Sequence, residues 1–121
     1  MKGASLIAKK PDLFPQLVRY LRTLKYSSIG GDFNAIRVAA ESGDYFTLYD
    51  RNDKQSVFDR YEIPQDAIEQ GYRFGYMVEC RSETLFCDLL KSAPEELGFI
   101  VCDGDGVLFA THELNPDTLS L

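Results

Sequence analysis

Twice the chain switches to a hydrophobic period of two and doubles back within a few residues, which limits the fold more than any other feature. AIRVAA (35–40) runs through Glu41-Ser42-Gly43-Asp44 into YFTLYD (45–50). Near the far end LGFIVCD (97–103) turns at Gly104-Asp105 into GVLFATHEL (106–114). Alternation over such short runs reads as half-buried strands. Turns this short join antiparallel neighbours, because parallel strands need a long crossover. Arg51-Asn52-Asp53-Lys54 is a further turn and QSVFDRYEI (55–63) a third strand of the same meander. YRFGYMVEC (72–80) puts Phe74, Tyr76, Val78 and Cys80 on one face and Arg73, Gly75, Met77 and Glu79 on the other.

Two segments change the period to that of a helix. After Pro11-Asp12, the residues Leu13, Phe14, Leu17, Val18, Leu21 and Leu24 recur at three- and four-residue spacing, an apolar stripe with Arg19, Arg22 and Lys25 on the solvent side. Pro15 is tolerated this close to the start, and Ser27-Ser28-Ile29-Gly30-Gly31 reads as the stop. Ser82 is an N-cap for ETLFCDLLKSA (83–93), which turns Leu85, Phe86, Leu89 and Leu90 inward before Pro94 closes it. A short helical turn, PQDAIEQ, lies between Pro64 and Gly71. The expected fold is α+β: an antiparallel sheet of about six strands with two main helices on one face, a two-layer sandwich. At 121 residues it is expected to be one domain over positions 1–121.

Composition narrows the function classes. Hydrophobic residues make up 45% and charged residues 26%, ordinary for a folded domain. No apolar run is long enough for a membrane helix, and MKGASLIAKK carries no signal-peptide core, so a cytoplasmic location is expected. Cys80, Cys87 and Cys102 are an odd number without CxxC spacing and sit in apolar surroundings, which reads as core packing in a reducing compartment. With His112 they do not make the two close ligand pairs of a structural zinc site, so no metal or cofactor is expected. The net charge of −6 is uneven. Residues 1–37 carry seven basic and two acidic side chains, and residues 38–121 carry six and seventeen. A body this acidic repels phosphate backbones and attracts a basic partner.

Asp103-Gly104-Asp105-Gly106 is the stretch in which chemistry would be sought first. A strand followed by D-x-D-G-V-L resembles the first motif of haloacid-dehalogenase-type phosphatases, which implies a nucleophile at Asp103, an acid/base at Asp105 and magnesium between them. That family needs a long α/β domain after the motif, and only fifteen residues follow Gly106, none of them lysine. An EF-hand frame starting at Asp103 meets Val107, Leu108 and Leu114 where ligands and glycine are required. Asp and Gly between apolar strands are instead a strong hairpin signal, and the tip is expected to display both carboxylates. His112, beside Glu113, reads as a surface residue.

FGYMVECRSETLFCDLL, GFIVCDGDGVLFATHELNP and the acidic balance together resemble immunity proteins of contact-dependent growth inhibition and related polymorphic toxin systems. The resemblance implies a cognate protein toxin as partner, often a basic nuclease, with no direct nucleic-acid contact. Physically, carboxylates on turns and strand edges can fill a cleft built for phosphates. The candidate contacts are Glu41, Asp44, Asp50, Asp53, Asp59, Glu62, Asp103 and Asp105. The alternatives are a small metal-dependent hydrolase using Asp103 and Asp105, and an adaptor subunit that docks through the basic first helix.

Overall fold

A computed structural model of the chain describes residues 3–24, 28–32, 35–50 and 65–121. The expected third strand at 55–63 and the turn at 51–54 lie outside them, as do Asp53, Asp59 and Glu62. The described elements are β1 (Gly3–Ala8), α1 (Leu13–Leu21), β2 (Ser28–Asp32), β3 (Ala35–Ala39), β4 (Tyr45–Tyr49), α2 (Gln65–Glu69), β5 (Phe74–Cys80), α3 (Glu83–Leu90), β6 (Phe99–Cys102) and β7 (Leu108–Phe109). Short 3₁₀ turns fill Glu95–Leu97 and Thr111–Glu113.

The strands form one seven-stranded sheet in the order β2-β3-β4-β5-β1-β6-β7. Every adjacent pair is antiparallel. β1 therefore sits inside the sheet, with Leu6 level with Tyr76 on one side and Val101 on the other. The register groups Leu6, Ala8, Ile36, Val38, Phe46, Leu48, Tyr76, Val78, Cys80 and Val101 on one face, and all belong to the main core.

Both main helices cover that face. α1 contributes Leu13, Phe14, Leu17 and Leu21, and α3 contributes Leu85, Phe86, Cys87, Leu89 and Leu90. Burying each large apolar side chain stabilises the fold by about 1.5–3 kcal/mol before entropy is counted. Ser82 caps α3 by accepting the Leu85 N–H at 3.1 Å, as its position before the apolar run predicts. Phe86 meets Phe46 of β4 with ring centroids 5.8 Å apart. The Tyr20 hydroxyl donates to the Leu89 carbonyl at 3.0 Å and ties the helices together. Tyr76 is wholly buried and donates to the Pro11 carbonyl at 3.1 Å. Burial pushes its phenol up to about 12.

Three elements differ from the sequence reading. Gly3–Ala8 and Ser28–Asp32 are strands, where no strand and a helix stop were expected. The last strand is two residues long, because Ala110 gives its N–H to the Glu113 carboxylate at 2.8 Å as the chain enters a 3₁₀ turn. Beyond that turn, Leu114 and Leu119 are buried in the main core.

Candidate functional site

The β6–β7 turn shows what the two aspartates do. The Asp103 N–H donates to the Val107 carbonyl at 3.0 Å and the Gly106 N–H to the Asp103 carbonyl at 3.1 Å. With Gly106 at φ 83°, this is a three-residue loop closed by a left-handed glycine. One oxygen of the Asp103 carboxylate accepts the N–H groups of Asp105 (3.0 Å) and Val107 (2.9 Å), and the other accepts that of Ser120 (3.2 Å). Asp103 is only 6% exposed, so the expectation that the tip displays two carboxylates is corrected to one, Asp105. Burying a charge is costly unless hydrogen bonds replace its water, and three backbone donors supply that replacement. In this arrangement the Asp103 oxygens stabilise the turn instead of facing a substrate, so neither the nucleophile nor the displayed-contact role fits them.

Gly104 completes the tie. Its N–H donates to the Ser120 carbonyl at 2.6 Å, and a Cβ built on it would lie 2.9 Å from that same oxygen. Ser120 and Leu121 thus lie against the turn at a spacing that suits glycine, which carries no Cβ.

The strand register locates the other candidates. Ala39 pairs with Tyr45, Phe46 with Cys80, Gly3 with Glu79, and Ser5 with both Met77 and Cys102. The β3–β4 turn, the start of α3 and the β6–β7 turn therefore lie at the same end of the sheet. Exposed Glu41, Asp44 and Asp105 share that end, and the two turns are four strand spacings apart, roughly 19 Å. Asp50 is half-buried at the opposite end of β4 and is one of the charges raising the Tyr76 phenol, after burial itself. The structure thus brings three candidates to one end and leaves Asp50 at the other.

A polar network on the face opposite the helices was not singled out from the sequence. Arg37, Thr47 and Glu79 form one row across β3, β4 and β5. Arg37 Nε donates to Thr47 Oγ1 at 3.0 Å, and its guanidinium lies 4.4 Å from the Tyr45 ring centroid. The hydroxyls of Tyr45 (3.1 Å) and Tyr49 (3.5 Å) donate to the two oxygens of Glu79. Burial, and then the Glu79 charge, raises the Tyr49 phenol above its ordinary value. The alternation of Ile36-Arg37-Val38 and Val78-Glu79-Cys80 was the available signal, since both charged residues sit between inward-facing apolar ones. This face is not bare throughout: Ile7, on the same side, is fully buried.

The three cysteines are free and buried, and burial raises each thiol, Cys80 to about 11. Such thiols are poor nucleophiles at neutral pH. His112 is exposed in the second 3₁₀ turn, and Arg19 on α1 and Arg22 at its C-cap are exposed. Among the described residues no group of three or more His, Cys, Asp or Glu side chains could hold a metal ion. No helix among them is long and apolar enough to cross a membrane. Compared with protein-family models, curated proteins and solved structures, the chain matches none of them.

Proposed function

We propose that the chain is a small acidic binding protein that neutralises a partner by covering a basic active-site cleft. The biological form of this reading is a cytoplasmic immunity protein paired with a cognate bacterial toxin, most simply a nuclease. The observation that carries it is the placement of two acidic hairpin turns, with exposed Glu41, Asp44 and Asp105, at one end of one sheet. A separation of roughly 19 Å exceeds the Debye length of about 8–10 Å at physiological salt, so each turn acts as its own charge centre. Two such centres on a rigid sheet suit a cleft lined with Lys and Arg, where charge sets register and speeds encounter.

The test is protection. The chain is co-expressed in bacteria with each candidate toxin domain encoded beside its gene, and survival is counted with and without E41K/D44K/D105K. Survival conferred by the wild type and lost in the triple variant is the expected result. Binding of the purified pair should weaken steeply as salt rises from low to moderate concentration. Failure to protect against any neighbour-encoded domain would remove the immunity reading, and salt-independent affinity would remove the electrostatic one.

A further inference from the structure

Resting on the binding-protein reading, we infer that the β6–β7 tip is the element that enters the partner, with Val107 filling an apolar pocket and Asp105 pairing with a cation beside it. Val107 is 48% exposed and is the large hydrophobic residue at the surface among those described. A single exposed valine is ordinary; what distinguishes this one is the loop that carries it. Its N–H and carbonyl are both bonded within the turn, to the Asp103 carboxylate and the Asp103 N–H. Gly104 and Asp103 also fasten the turn to Ser120. The turn is therefore ordered before any partner arrives, and a preordered loop loses little conformational freedom on docking. Asp105 stands exposed two residues from Val107, so one rigid tip offers an apolar group next to a carboxylate. The partner chemistry this fits is a protein cleft with Lys or Arg beside an apolar wall. Asp103 serves as a positioning residue that fixes the tip without touching the partner.

Photo-crosslinking in the producing cells tests this. p-Benzoylphenylalanine is placed in turn at positions 107, 41 and 96; Glu96 is exposed near the opposite end of the sheet. The expected result is an adduct from position 107 whose cross-linked peptide carries a Lys or Arg next to apolar residues, with yield falling about tenfold or more in D105K. Thermal unfolding of V107T and D105K should match the wild type, because both side chains are exposed. Adducts from 41 or 96 with none from 107 overturn the tip assignment and leave the binding-protein reading standing. An adduct from 107 that is indifferent to D105K overturns the cationic partner. No adduct from any position, together with no protection in the survival assay, removes both readings.

Discussion

The β3–β4 and β6–β7 hairpins close with the same bonds. Ala40 donates to the Asp44 carbonyl at 2.8 Å and Gly43 to the Ala40 carbonyl at 3.0 Å. Asp103 and Val107, and Gly106 and Asp103, repeat that pattern at 3.0 and 3.1 Å. The fourth position is a left-handed glycine in both, at φ 94° in Gly43 and 83° in Gly106. What differs is the first residue. Ala40 has no side-chain acceptor, so the first turn is held by its own backbone and a local Ser42–Asp44 bond at 3.0 Å. Asp103 has one, and through it the second turn is joined to a segment seventeen residues away. Similar acidic, glycine-bearing loops can thus be a free surface or a buried tie, and one side chain decides which.

The largest expected effect breaks that tie. Asp103→Ala leaves the N–H groups of Asp105, Val107 and Ser120 without their acceptor, and should cost about 2–4 kcal/mol in denaturant unfolding. Asp103→Asn keeps one acceptor oxygen and should fall between the variant and the wild type. A loss below about 1 kcal/mol for the alanine variant would mean that the two turns are held alike after all.

Gly104 and Glu41 are equivalent positions, and they sharpen the comparison next. A methyl at 104 meets the Ser120 carbonyl at 2.9 Å, and Gly104→Ala should cost about 1–3 kcal/mol by overpacking. Glu41→Ala, on a turn whose four residues are all exposed, should stay within about 0.5 kcal/mol. Smaller still is a pair expected to agree. A Cβ meets nothing within 4 Å at either Gly43 or Gly106, so each Gly→Ala change carries only the left-handed penalty. Both should lose about 1 kcal/mol, read as nearly equal shifts in unfolding midpoint.

Much of this architecture was legible in the sequence, and the exceptions have physical reasons. The 35–50 hairpin, the strand read at 72–80 and both helices show the period of the side they bury, and each forms within its expected stretch, the strand from Phe74 and the helices ending at Leu21 and Leu90. β1 did not show it, because Leu6, Ile7 and Ala8 are all buried; a strand covered on both faces loses its alternation. β2 was hidden by Gly30-Gly31, residues depleted in strands that look like a helix stop when a helix precedes them. The DGDG turn was legible as a turn but not as a tie, since the Asp103–Ser120 bond depends on a chain reversal that no local pattern announces. Arg37 and Glu79 show the same limit: alternation points both outward, but only the strand order β3-β4-β5 sets them either side of Thr47.

The smallest expected effect on stability is the one that bears most on function. Glu41→Lys and Asp44→Lys change exposed side chains on the untethered turn, and together should move unfolding by no more than about 0.5 kcal/mol. The Ser42–Asp44 bond is exposed, and its loss is offset by water. Asp105→Lys should be equally mild, because the bond Asp105 makes to Asp103 comes from its backbone N–H and survives the change. If the acidic end of the sheet is the partner surface, these three substitutions should slow association with the partner and flatten its salt dependence while leaving the fold untouched. Asp103→Ala should do the reverse, weakening the fold first and binding only through the disordered tip. A charge reversal at 41 or 44 that unfolded the chain would show the first turn to be a tie as well, and the contrast between the two hairpins would be gone.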